Sequence, residues 1–184
     1  RKIIKIILLI KNQLKVKALF LDRDGIINLD KGYVYKIEDF IFIKSFLKGI
    51  HKFIDNGFSL IIITNQSGIG RGYYSEKDYE ILTTFYLNEL RKKGINILDV
   101  YFCPHTKEDK CSCRKPNDGL IQSAIKDHNI NINKSILIGD KISDILAGEK
   151  AKIPKCFLLN TGQEINEVNK NKSFRDLEKL ANFL

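Results

Sequence analysis

Short apolar runs alternate with stretches of helical periodicity along most of this chain, and that alternation limits the fold more than any other feature. The runs fall at 16–21, 58–63, 98–102, 135–138 and 155–159, each about the length of a buried strand. Between them, 43–56 sets Phe46, Leu47, Ile50, Phe53 and Ile54 on one helical stripe and stops at Gly57. The segment 75–93 opens on Ser75 with Asp78 three residues on, an acidic variant of the capping box, and stops at Gly94. Helices are also expected over 116–128, with Pro116 near the first turn, over 142–150, and over 173–183, where Phe174, Leu177, Leu180 and Ala181 share a face. Strands joined by helices of this size pair in parallel through right-handed crossovers, which places helices on both sides of one sheet. The expectation is a Rossmann-like three-layer α/β/α fold with a central parallel sheet and ligands at the carboxyl ends of its strands.

The 184 residues suffice for one such domain to bury a core without disulfides. Residues 16–184 read as that single domain, preceded by an extension over 1–15. The extension has the basic and apolar character of a secretory leader. However, Lys5 interrupts it, no small-residue cleavage site follows, and it is too short to cross a bilayer. A strand or a docking helix fits it better, and no membrane partner is expected. The chain has no Met, position 1 included, which fits a fragment or a processed product. The net charge of +9 comes from lysines scattered along the chain rather than gathered in a stripe. With no nucleic-acid module in the sequence, that charge reads as a compositional bias with a basic cleft for an anionic substrate, not as a nucleic-acid surface.

Chemistry concentrates where strands end. Asp22 and Asp24 follow the first apolar run and precede Gly25. One carboxylate of such a pair could attack phosphorus while the other passes a proton to the leaving oxygen and later takes one from water. Two carboxylates so close would repel, so a cation is expected; Mg²⁺ prefers oxygen ligands and shares the substrate's phosphate. The second run ends in Thr64-Asn65-Gln66-Ser67-Gly68, a hydroxyl and backbone N–H groups suited to phosphate oxygens. Arg114 and Lys115 sit before an expected helix start, where charge and dipole both favour phosphate. Asp140, in Gly139-Asp140-Lys141, stands at the fourth strand's end, placed to complete a metal site with Asp22. An acidic turn, a polar turn, a basic turn and a helix cap would explain each segment separately. Their shared position at the carboxyl edge of one sheet favours a common site.

Cys103, His105, Cys111 and Cys113 offer four nitrogen and sulfur ligands within eleven residues, a set suited to tetrahedral Zn²⁺ with no open position, hence structural. Zinc thiolates imply a reducing compartment, so the cytoplasm is expected. Cys156, in an apolar run, reads as core, and His51 and His128 as surface residues of helices.

The order of these segments resembles the haloacid dehalogenase-like phosphatase superfamily. The strings Leu21-Asp-Arg-Asp-Gly, Gly32-Tyr-Val, Thr64-Asn-Gln-Ser-Gly-Ile-Gly-Arg-Gly, Cys103-Pro-His, Cys113-Arg-Lys-Pro and Gly139-Asp-Lys resemble the heptose-bisphosphate phosphatases within it, from about Val16 to Gly162. The resemblance implies hydrolysis of a small phosphorylated metabolite: the C7 phosphate of a heptose 1,7-bisphosphate, in the synthesis of lipopolysaccharide precursors. It implies Asp22 as nucleophile, Asp24 as general acid/base, and Thr64 and Lys115 as stabilisers of the moving phosphoryl group. Arg114 would recognise substrate, and Mg²⁺ would be held by Asp22, Asp140 and the backbone carbonyl of Asp24. Asp30, Lys31, Gly32 and Tyr33 would form a flap, and with Asn65, Gln66, Ser67 and Lys141 would line the substrate site. It also implies no large cap domain, and a monomer is expected. The five residues between His105 and Cys111 make a short loop, which resembles the related histidinol-phosphate phosphatases. The Gly32-Tyr-Val flap and the 67–72 segment resemble the heptose enzymes instead, and that reading is favoured. A zinc-stabilised nucleic-acid-binding protein on a retired phosphatase fold is the other class of reading. It would be expected to lack one of Asp22, Asp24, Lys115 and Asp140, and all four are present.

Overall fold

A computed structural model describes residues 15–159 and 173–183. The expected extension over 1–15 lies outside the described residues, Lys15 excepted. The strands are β1 (Ala18–Leu21), β2 (Ser59–Asn65), β3 (Ile97–Cys103), β4 (Ile136–Gly139), β5 (Lys155–Leu159) and β6 (Ser173–Phe174). The helices are α1 (Lys44–Asp55), α2 (Ser67–Gly70), α3 (Glu76–Lys92), α4 (Gly119–His128), α5 (Ile142–Lys150) and α6 (Leu177–Phe183). The strands form one sheet in the order β3-β2-β1-β4-β5-β6, and every pairing is parallel. This is the three-layer α/β/α arrangement expected, and no described helix is long and apolar enough to cross a membrane.

Both faces of the sheet are covered, which explains why its central strands read as unbroken apolar runs rather than alternating ones. Leu19 and Leu21 of β1, with Leu60, Ile62, Ile136 and Ile138, pack against α1, α3 and α6 through Phe46, Ile50, Leu82, Tyr86 and Leu177. Ala18 and Phe20, with Ile61, Ile63 and Leu137, point the other way onto α4 and α5 through Ile121, Ala124 and Ala147. The chain builds β2 and β3 on one side of β1 and then crosses to β4 on the other. The strand order therefore reverses between β1 and β4, which opens a crevice at their carboxyl ends.

Two expectations need correcting. The helix placed over 116–128 begins at Gly119, because a turn closed by the Asn117 N–H on the Arg114 carbonyl takes Pro116 out of it. The segment 173–183 is not all helix. Ser173–Phe174 pairs with β5 as a sixth strand, and the helix starts only at Leu177, where the Asp176 carboxylate accepts from the Lys179 N–H. The capping box of Ser75 and Asp78 forms as read, and Cys156 is buried.

Candidate active site

Asp22 follows the last residue of β1, and its N–H bonds the Ile138 carbonyl of β4 at 3.1 Å, so the two strand ends that flank the crevice are tied together. Gly25, with φ +85°, turns the chain back at once; a Cβ there would run into the Asp140 carboxylate. The pairing of β1 with β4 brings Asp22 and Asp140, 118 positions apart in sequence, into one buried group with Asp144. Lys115 reaches the group from the loop before α4. Its Nζ lies 3.0 Å from Asp22 Oδ1 and 2.6 Å from Asp144 Oδ1, and donates to the Ile63 carbonyl at 2.8 Å.

Burial sets the electrostatics here. It pushes the Asp22 carboxyl above its usual range; Lys115 works against the rise and Asp144 adds to it. Burial also opposes the charge of Lys115, but Asp144 and then Asp22 more than offset this and hold its pKa above the ordinary value. Asp140 is pushed up to about 8, by burial first and the Asp22 charge second. Its Oδ1 is buried without a hydrogen-bond partner. A buried carboxylate cluster with one oxygen unengaged is a donor set that fits a hard divalent cation such as Mg²⁺.

Around this centre the cleft has a volume of about 600 Å³, within the range of small-molecule sites. Thr64 is buried at the end of β2, and its Oγ1 accepts from Gln66 Nε2 at 2.8 Å. Asn65 grips the backbone of Lys115 from both sides, donating to its carbonyl at 3.1 Å and accepting from its N–H at 3.0 Å. Gln66 accepts from the Tyr74 hydroxyl at 2.6 Å and donates to Asp24 at 3.1 Å. Ser67 opens α2 on the cleft wall.

The flap is anchored by Asp30. One oxygen accepts from the Gly32 N–H at 2.9 Å, and the other meets Lys141 Nζ at 2.8 Å. These bonds hold the Asp30 carboxyl below its usual range against the effect of burial, Lys141 contributing most. Tyr33 lines the cleft beside Asp30 and Gly32 and meets Tyr73 edge to face. Lys31 does not line the cleft; its ammonium lies 3.8 Å from Asp39.

Cys103, at the end of β3, and the loop after it bring the four expected zinc ligands together, their ligand atoms all within 4.8 Å of one another. The Cys103 and Cys113 sulfurs are in contact, each 3.5 Å from Cys111 Sγ, and His105 Nδ1 lies 3.2 Å from Cys113 Sγ and 3.5 Å from Cys103 Sγ. Ligands at zinc distances stand about 3.7 Å apart in a tetrahedron; the separations other than the Cys103–Cys113 contact approach that spacing, and the donor set is compatible with the ion. Arg114 follows directly and donates to the His105 carbonyl at 3.0 Å from the cleft rim.

Residues 15–177 match the family model described as polynucleotide kinase 3 phosphatase. A D-glycero-alpha-D-manno-heptose-1,7-bisphosphate 7-phosphatase of Photorhabdus laumondii is 50% identical over 85% of this chain and 90% of its own. The chain belongs to the heptose-bisphosphate phosphatase family. A second relative in it, the D-glycero-beta-D-manno-heptose-1,7-bisphosphate 7-phosphatase of Helicobacter pylori, is 51% identical over 78% of this chain and 83% of its own. The crystal structure of D,D-heptose 1.7-bisphosphate phosphatase from B. bronchiseptica, complexed with magnesium and phosphate, shares the fold. Its TM-score is 0.80 over 91% of this chain and 97% of that one, at 24% identity.

Within this family frame, sequence reading passed over several residues at the site. Asp144 stands four positions after Asp140, one helical turn on. That spacing was a usable signal, but the sequence reading gives the residue no role of its own; it also caps α5, its Oδ2 accepting from the Lys141 N–H at 3.0 Å. Lys107, Lys110 and Tyr74 line the cleft from loops with no motif of their own. Arg23 and Asn28 have no role in the sequence reading, because nothing in the local pattern marks them.

Proposed function

We infer that this chain is a magnesium-dependent phosphoric monoester hydrolase that removes the C7 phosphate of D-glycero-D-manno-heptose 1,7-bisphosphate. The observation that carries the reading is the buried group of Asp22, Lys115, Asp140 and Asp144 at the strand crossover of a chain half identical to a phosphatase named for that substrate.

Asp22 is the nucleophile. One of its oxygens attacks phosphorus in line with the C7 oxygen, the P–O7 bond breaks, and the proton on Asp24 goes to the departing sugar oxygen. Asp22 then carries the phosphoryl group as an acyl phosphate. In the second half, the Asp24 carboxylate takes a proton from water, the resulting hydroxide attacks phosphorus, and the P–O bond to Asp22 breaks. Inorganic phosphate leaves with both aspartates restored. Lys115 and the Thr64 hydroxyl face the phosphoryl oxygens and offset the charge they develop, while Asp144 and Asn65 hold Lys115 in place. Asp22, Asp140 and the backbone carbonyl of Asp24 would hold Mg²⁺, whose chemistry is to neutralise phosphate charge in a site already crowded with carboxylates. Cys103, His105, Cys111 and Cys113 would hold Zn²⁺ and so fix the loop that carries Arg114 over the cleft. A reduced zinc site agrees with a cytoplasmic enzyme.

The two relatives of near-equal identity are named for opposite anomers. The decisive experiment is therefore a panel of both heptose bisphosphate anomers, histidinol phosphate and simple sugar phosphates, each assayed with Mg²⁺. One heptose bisphosphate should have the highest kcat/KM. Faster turnover of histidinol phosphate would assign the enzyme to that substrate instead.

A further inference from the structure

Asp24 is gripped on both oxygens. Oδ1 accepts from Arg23 Nη2 at 3.0 Å and Asn28 Nδ2 at 2.9 Å; Oδ2 accepts from Arg23 Nε at 3.1 Å, Arg23 Nη2 at 2.8 Å and Gln66 Nε2 at 3.1 Å. Arg23 itself is wholly buried. Its Nη2 also donates to the Val34 carbonyl at 2.7 Å, so one guanidinium joins this carboxylate to the strand of chain leaving the flap. Asn28, equally buried, is steadied by a bond from the same Nδ2 to the Leu29 carbonyl at 3.0 Å.

Stability alone does not account for the arrangement. A buried ion pair is commonly no better for stability than apolar groups of the same volume. Here, moreover, the fork faces Asp24 while Arg23 Nη1 is buried with no hydrogen-bond partner. What the geometry does achieve is direction. A planar fork against two carboxylate oxygens fixes the plane of the carboxyl group, and a lysine at the same place would supply only a point charge. Proton transfer needs that direction, since donor and acceptor must come within about 2.6–3.2 Å of each other.

We propose that Arg23 and Asn28 are positioning residues that aim the Asp24 carboxyl at the leaving oxygen of the substrate. The proposal rests on the reading of Asp24 as general acid/base, and its test separates the two through the leaving group. An alkyl phosphate must have its departing alkoxide protonated, whereas p-nitrophenyl phosphate releases a phenolate that needs no proton. The quantity to compare is kcat/KM, which reports steps only through the first P–O cleavage.

Arg23→Lys should lower kcat/KM for an alkyl phosphate by about 10²-fold, against a few-fold loss on p-nitrophenyl phosphate. Asn28→Ala should show the same bias at smaller amplitude, and Asp24→Asn sets its upper limit. The alkyl phosphate is whichever the wild type turns over fastest, so an error in the heptose assignment leaves the test intact. Circular dichroism and thermal melts establish that each variant is folded. If Arg23→Lys does not fold, the leaving-group ratio of Asn28→Ala decides alone. Equal losses on both substrates in folded variants would overturn the positioning role. No bias in Asp24→Asn would overturn the acid/base reading, and the positioning role with it.

Discussion

The centre of the cleft and its rim are built differently. At the centre, Asp22, Lys115, Asp140 and Asp144 are each buried and joined through charge to residues on three separate loops at the strand ends. At the rim, Tyr33 and the loop of Lys107 and Lys110 are exposed, and the flap is fastened chiefly by the single Asp30–Lys141 pair. Chemistry common to every phosphate ester needs a rigid, preorganised centre. Recognition of one sugar is left to short loops, as is usual when a scaffold positions binding residues. The comparison therefore predicts that rate is set at the centre and substrate choice at the rim.

The largest expected effect tests the centre. Asp22→Asn should lower turnover of every phosphate ester by more than about 10⁴-fold, because an amide oxygen does not replace the carboxylate as a nucleophile. Phosphate release under saturating substrate measures it, with thermal melts to show that the fold survives. Activity retained at a tenth of the wild type would remove the covalent mechanism and the centre's claim to the chemistry.

Next comes a pair that sets centre against rim across adjacent residues. Lys115→Ala should depress kcat by about 10²–10³-fold on both a heptose bisphosphate and a simple monophosphate, as expected for loss of a donor to the moving phosphoryl group. Arg114→Ala should instead raise KM for the bisphosphate by about 10-fold or more, the worth of a hydrogen bond to a charged group, with little change for the monophosphate. Steady-state kinetics on both substrates decides. Parallel losses from the two variants would mean that the division between centre and rim does not pass between residues 114 and 115.

These residues also show how far the sequence could be read. β1, β2, β4 and β5 were legible because strands buried on both faces leave continuous apolar runs, and Asp22, Thr64 and Asp140 because each stands where such a run ends. β6 was not legible: two residues carry no periodicity, and their place is fixed by pairing with β5 rather than by local preference. The roles of Arg23 and Asn28 were hidden for a related reason. Their significance lies in the Val34 carbonyl and the Asp24 oxygens they face, and those contacts exist only once the turn after β1 has closed. Asn65 and Gln66 were legible as polar groups at a strand end, while the partners that engage them, Lys115 and Tyr74, come from loops distant in sequence or without a motif.

A smaller effect probes the rim. Purified, reduced protein should hold about one zinc per chain, lost in the Cys111→Ser, Cys113→Ser double variant. Because α4 and the sheet bury their own apolar surface, the variant should melt only a few degrees lower while KM for the bisphosphate rises. Elemental analysis with melts and kinetics checks this. A collapse of the whole fold would show that the loop belongs structurally to the centre.

The smallest expected effect is on stability, and its sign follows from Asp140. Its pKa stands at about 8 in the folded chain against an ordinary value of 3.8, so between those limits the folded state holds a proton that the unfolded state has released. Stability from this group is fully present below the unfolded value and is lost as pH climbs towards about 8. Asp22, also shifted upward, acts in the same sense. Lys115 is raised as well, but its contribution is complete below 10.5 and is lost only above it, outside this window. Protein dialysed free of Mg²⁺ should therefore melt at lower temperature near the top of the window than near the bottom. Mg²⁺ binds the deprotonated carboxylates and replaces the like-charge penalty with attraction, so it should raise Tm by a few degrees near the top and much less near the bottom. Thermal melts with and without Mg²⁺ across the window read the difference directly. A shift on adding Mg²⁺ that does not change with pH would mean that the cation does not bind at Asp140, and that the buried carboxylates of the centre are held in balance by Lys115 alone.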